Sequence, residues 1–124
     1  MTSNKVNLRI KQGDTARLTF TASSVANGVA APLDLTGCVA QFAIAERPGR
    51  APNWSWDSVG PEERVSIADP AAGKVTVTLQ PADSRAWGRL TQLVWELTVT
   101  FPTGDRLTLA EGSCVVDLEV TRSD

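Results

Sequence analysis

The feature that most constrains the fold is a strict alternation of apolar and polar residues late in the sequence. The apolar positions are Leu93, Trp95, Leu97, Val99 and Phe101. A period of two predicts a half-buried β-strand, because successive side chains leave a pleated backbone on opposite sides. Pro102–Asp105 then supplies turn residues. We therefore expect an antiparallel meander from Leu93 to Arg122. It should break at Glu111–Gly112 and end in an inward row of Cys114, Val116, Leu118 and Val120.

The rest of the sequence repeats this alternation in shorter runs. Inward rows are predicted at Val6, Leu8 and Ile10, at Ala16, Leu18, Phe20 and Ala22, at Phe42 and Ile44, at Val65 and Ile67, and at Val75, Val77 and Leu79. Small residues around Asn27–Gly28 predict a turn or flexible loop over residues 23–31. Pro81–Gly88 predicts one helical turn, capped by Asp83 and ended by Gly88, that carries the chain from one sheet to the other.

Short strands separated by turn residues are typical of an all-β fold with two packed sheets. We expect an antiparallel sandwich of about seven to eight strands. It should form a single domain over residues 1–124, with a flexible start at residues 1–4.

The residue types present argue against several classes of activity. The chain has 12 lysines and arginines, 14 aspartates and glutamates, and no histidine. A nucleic-acid partner and a histidine-based catalytic triad are therefore not expected. Since no apolar run is long enough to span a bilayer and no export signal is found, we also expect no membrane partner. Of the nearest carboxylate pairs, Glu62–Glu63 and Asp117/Glu119, the second occupies outward strand positions, which predicts a solvated face. We expect no enzyme activity, no cofactor and no metal.

Two cysteines, Cys38 and Cys114, fall at inward positions of predicted strands. They can be free buried thiols in a reducing cytosol, or one disulfide that joins two strands. The absence of an export signal favours the free thiols.

The tryptophans supply the candidate binding residues. Alternation places Trp95 in the core, and Trp87 is expected to cover one end of the sandwich. The segment Glu46–Gly60 is the least regular, because its prolines and glycines oppose a long regular element. Aromatic side chains there can anchor a protein interface or stack on a sugar, or one of them can fold back onto the core as a lid. The candidate interface residues are Trp54, Trp56, Arg47 and Arg50.

Several blocks, taken in order, resemble a known family. They are Lys11–Thr15, Pro32–Gly37, Asp69–Val75, Phe101–Asp105 and Val120–Arg122. The sequence resembles the immunoglobulin-like amino-terminal domain of phage upper-baseplate (BppU-type) proteins and related small tail-associated proteins of bacteriophages and prophages. The shared blocks are turn and strand signatures, so no functional residue is carried over from the family.

The resemblance implies a structural protein of the bacteriophage virion, made in the host cytoplasm. It would bind other virion proteins of the tail, baseplate or fibre in symmetric multiple copies. A tail, baseplate or tail-fibre adaptor is the first hypothesis and a capsid decoration protein the second. A carbohydrate-binding module that uses Trp54 and Trp56 is a third. In a virion role, the expected contact elements are the segment Glu46–Gly60 and the start, Met1–Asn4.

Overall fold

A computed structural model describes residues 4–49, 53–60 and 64–120. These residues form eleven strands and one short helix. The elements are β1 (Asn4–Lys5), β2 (Leu8–Lys11), β3 (Ala16–Thr21), β4 (Ser23–Ala26), β5 (Val29–Pro32), β6 (Val39–Ala45), β7 (Trp54–Asp57), β8 (Val65–Asp69), β9 (Lys74–Leu79), α1 (Pro81–Arg85), β10 (Gln92–Thr100) and β11 (Arg106–Asp117). The all-β prediction is confirmed, but the strands are more numerous than expected.

The strands lie in three sheets. The largest has the order β1-β11-β10-β6-β7, with β2 also paired to β11. A second sheet has the order β3-β9-β8, and β4 and β5 form a hairpin of their own. The prediction of a wholly antiparallel arrangement is wrong at one place, since β1 and β2 both run parallel to β11. Alternation shows which side chains share a face, and it is the same for both strand directions.

One hydrophobic core takes residues from both larger sheets. The ring of Trp95 on β10 lies 5.3 Å from that of Phe20 on β3 and 5.7 Å from that of Phe42 on β6. Trp95 is buried, as predicted, and its indole N–H donates to the carbonyl oxygens of Val6 and Ser113, both at 3.1 Å. Most predicted inward rows are confirmed, among them Phe42 and Ile44, Val75 to Leu79, and Leu93 to Val99.

The predicted break at Glu111–Gly112 is wrong, because β11 runs through it. Leu97 pairs with Ala110 and Thr98 pairs with Thr108, so β11 has one extra residue at Leu109. Such a bulge reverses which residue parity faces inward. This explains why the inward row moves from odd positions before the bulge to even positions after it. The last two predicted inward residues lie beyond the strand and are exposed, Leu118 at 38% and Val120 at 94%.

The loop expected over residues 23–31 is a turn flanked by strands. Asn27 and Gly28 have φ values of 53° and 76°, which is the left-handed pair that a tight two-residue hairpin requires. β4 and β5 flank that turn, so the turn is confirmed and the flexible loop is not.

The helical turn is confirmed as α1, and it connects β9 of the second sheet to β10 of the first. Its N-cap is Gln80 rather than Asp83. Asp83 lies three residues further on, where its carboxylate accepts a hydrogen bond of 2.7 Å from the Gln80 backbone N–H. The same carboxylate binds Arg64 at 2.7 Å, and both side chains are largely buried. Gly88 follows with a φ of 63°, as expected of a residue after a helix end.

Candidate functional site

Trp54 and Trp56 lie on strand β7 and not in a loop, so this part of the prediction is wrong. In register they face Ile44 and Phe42 of β6, which are core residues. Both indoles are half-buried and pack against the core, and the ring of Trp54 lies 6.1 Å from that of Trp87. Of the two alternatives, an interface or a lid, the structure has both side chains covering the core. Trp87 itself is buried at 2% exposure, and its indole N–H has no hydrogen-bond partner among the described residues.

The two arginines of the candidate interface do not join the tryptophans. Arg47 is exposed and lines a cleft on the outer face of the large sheet, whereas the tryptophans cover its inner face. Arg50 lies outside the described residues. The start Met1–Asn4 is described only at Asn4, which pairs with Ala110 as part of β1.

The outer-face cleft has a volume of about 440 Å³, with small side chains on its floor and charged ones around them. Glu96 of β10 faces Glu111 of β11 directly across the two strands, and Glu111 faces Lys5 of β1. The two adjacent carboxylates repel each other. Arg106 offsets this, since its Nη2 lies 3.1 Å from Oε1 of Glu96. The cleft is a balanced set of charges, and it holds no nucleophile paired with a base. The sequence analysis missed it, because Glu96 and Glu111 meet only through strand register.

The carboxylates weighed as an acid–base pair are each bound by an arginine. Arg9 makes two hydrogen bonds of 2.8 Å to Asp117, and these bonds lower the pKa of that carboxyl. Arg85 binds Glu119 at 2.9 Å. Glu62 and Glu63 lie outside the described residues. Within the described ranges, no group of three histidine, cysteine, aspartate or glutamate residues could hold a metal ion.

Both cysteines are buried free thiols. Cys114 faces Leu93 at one end of β10, whereas Cys38 precedes Val39, which faces Thr100 at the other end. The two ends are roughly 20 Å apart at about 3.3 Å per residue, which is too far for a disulfide. Burial raises the pKa of Cys38 and raises the pKa of Cys114 to about 11.

The buried Cys114 thiol should make the fold sensitive to alkali. In the unfolded chain this thiol ionises near 9.0, and in the folded chain near 11. The unfolded state therefore loses its proton first, so stability is complete below pH 9 and falls as the pH rises to 11. We expect the wild type to lose about 2 kcal/mol more than Cys114→Ala over this window. Urea unfolding from pH 8 to pH 11 measures it. Parallel stability curves for the two proteins would contradict it.

The most exposed apolar element that the structure describes is the β4–β5 hairpin. Val25 is 70% exposed and Val29 is 67% exposed, and every residue of β5 is exposed. Residues 23–33 contain no charged side chain. Because proteins usually protect free strand edges with charge, an uncharged and exposed hairpin marks an association surface. The signal in the sequence was the run of eleven uncharged residues around Asn27–Gly28.

No protein-family model matches this sequence. No curated protein matches it either. In the part of the chain that the structure describes, no helix is long and apolar enough to cross a membrane.

Proposed function

We propose that this chain is a structural protein of a bacteriophage particle that acts by binding other virion proteins. The phage setting rests on the sequence blocks that resemble the upper-baseplate family. In the structure, Lys11–Thr15 joins β2 to β3, Asp69–Val75 includes the turn between β8 and β9, and Phe101–Asp105 includes the turn between β10 and β11. These blocks are the connections that fix the strand order, so the resemblance concerns the architecture of the domain.

Within this proposal, the domain is an immunoglobulin-like sandwich. In support, the large sheet places the first strand parallel to the last one, and the second sheet has the order β3-β9-β8. Side chains of both sheets meet in one core. Two facing sheets with crossover connections define this class of fold.

The observation that carries the binding role is the exposed hairpin β4–β5. Its valines gain nothing from exposure to water, and burying one valine on a partner contributes about 1.5 kcal/mol or more. The described residues offer no constellation of nucleophile, base and metal that would favour catalysis instead. Trp54 and Trp56 are half-buried on the core, so they do not form a free platform for a sugar.

Purified phage particles test this function. We expect mass spectrometry to find the wild-type chain in the particle. The variant Val25→Asp with Val29→Asp should be strongly depleted from the particle although it folds. Val59→Asp is the matched control, because Val59 is 72% exposed and lies away from the hairpin.

Each result decides a separate point. If the wild-type chain is absent from particles, the virion role is wrong. If the hairpin variant is incorporated as fully as the control, the hairpin is not the binding element. Separation of heads from tails before the measurement distinguishes a tail component from a capsid decoration protein.

A further inference from the structure

We infer that the β4–β5 hairpin binds a second copy of this chain, in the groove between β3 and the amino-terminal strand. This inference rests on the proposed binding role of the hairpin and names its partner. It joins two features of the chain that the sequence analysis did not connect, an uncharged hairpin and an uncovered apolar groove.

The groove lies where the edges of the two larger sheets part. β3 is at the edge of its sheet, and among the described strands it pairs with β9 alone. The opposite wall is the amino-terminal strand, at Val6 and Leu8. Leu18 and Phe20 of β3 are half-buried there, and Val6 is 37% exposed. The groove has a volume of about 380 Å³, which is within the range of pockets that bind small organic molecules. It therefore has room for two valine side chains.

The hairpin is apolar on both of its faces. Val25 pairs with Ala30, and Val29 pairs with Ala26, so the two valines occupy adjacent cross-strand pairs. Adjacent pairs point to opposite faces of a hairpin. A partner with one flat surface would cover only one valine. A groove with a wall on each side covers both, and β3 and the amino-terminal strand provide those walls.

Charge favours this groove over the outer-face cleft. Among the residues that line the groove, Arg17 is the one that carries a charge. The outer-face cleft carries Lys5, Arg47, Glu96, Arg106 and Glu111. An uncharged hairpin placed in that cleft would remove water from these groups without replacing its hydrogen bonds. The groove lacks this penalty.

Length also favours insertion in the groove over pairing of two hairpins with each other. A strand of four residues spans roughly 13 Å, and such a pair alone falls well short of the ~800 Å² per partner of a stable interface. Insertion adds contacts on both faces of the hairpin. It is a heterologous contact, because the hairpin of one copy meets a different surface of the next. Repeated copies then form a ring or an open chain, as a tail component requires.

Two variants of the full chain test the arrangement. Val25→Asp with Val29→Asp disables the hairpin and leaves the groove intact. Val6→Glu places a charge in the groove and leaves the hairpin intact. The matched controls are Val59→Asp for the hairpin and Val115→Asp for the groove, since Val115 is 36% exposed against 37% for Val6. Circular dichroism first establishes that each variant is folded.

Sedimentation equilibrium over a range of concentrations gives the result. We expect the wild type and both controls to associate beyond dimers, and each disabled variant to associate at least roughly tenfold more weakly. An equimolar mixture of the two disabled variants should form a dimer and stop there, because it contains one intact hairpin and one intact groove. If either disabled variant associates like the wild type, or the mixture stays monomeric, the inference is overturned.

One further outcome separates this inference from the proposed function. A wild-type chain that stays monomeric at every concentration overturns binding to a second copy. The hairpin remains a binding element for another virion protein if, in the particle experiment, the hairpin variant is depleted and the control is not.

Discussion

Replacement of Gly112 by alanine is expected to destabilise the fold by about 3 kcal/mol or more, at the upper end of overpacking effects. An added Cβ at this position would overlap the carbonyl oxygen of Val6 and lie 2.7 Å from its carbonyl carbon. These are backbone atoms, so they cannot turn aside as a flexible side chain does. Gly112 faces Trp95 in register, and the indole of Trp95 donates to that same Val6 carbonyl. The substitution would therefore push the amino-terminal strand off β11 and remove this hydrogen bond.

Urea unfolding measures the loss, and the tryptophan emission of the folded variant should move to longer wavelength as Trp95 becomes wetter. The matched control is Gly60→Ala. Gly60, like Gly112, lacks a positive φ, and the nearest atom to an added Cβ is Oδ1 of the Asp57 side chain at 3.2 Å. That side chain can rotate away, so we expect a change within about 0.5 kcal/mol. Equal stability of the two variants would contradict the close approach of Val6 to β11.

The sequence predicted the interior of the domain well where one face of a strand is buried. β10 is the clearest case, because its alternation from Leu93 to Val99 matches its buried side chains. The prediction failed at Leu109, where a single extra residue changes the inward parity of β11. Alternation cannot separate a bulge from a break, because both interrupt a period of two in the same way. Only the pairing partner decides, and that information lies in another strand.

The binding surface was less predictable than the core. Trp54 and Trp56 were expected in a loop because prolines and glycines surround them, yet pairing with β6 places them on the core. Tertiary pairing overrode the local signal there. The hairpin was missed for the opposite reason, since β4 and β5 carry small residues with low strand propensity. Their turn, Asn27–Gly28, was the stronger indication.

Replacement of Gly73 by alanine should destabilise the fold by about 3 kcal/mol and loosen the base of the hairpin. Two causes add at this position. Gly73 has a φ of 70°, and an added Cβ would overlap the backbone oxygen of Ala22 and lie 2.8 Å from that of Leu33. The same residues hold the hairpin in place, because the Ala22 N–H donates to the Gly73 oxygen at 2.8 Å and the Leu33 N–H donates to the Ala22 oxygen at 3.0 Å.

Gly104→Ala separates the two causes. Gly104 has a φ of 93°, and no described atom lies within 4 Å of an added Cβ, so this variant reports backbone strain alone, at about 1 kcal/mol. Urea unfolding gives the stability of both variants, and hydrogen exchange at the Ala22 and Leu33 amides reports on the hairpin base. We expect faster exchange at those amides in Gly73→Ala and no change in Gly104→Ala. Because the inserted hairpin must be held rigidly, Gly73→Ala should also weaken self-association while Gly104→Ala leaves it intact. Equal stability and equal exchange in the two variants would show that the hairpin is not anchored at Gly73.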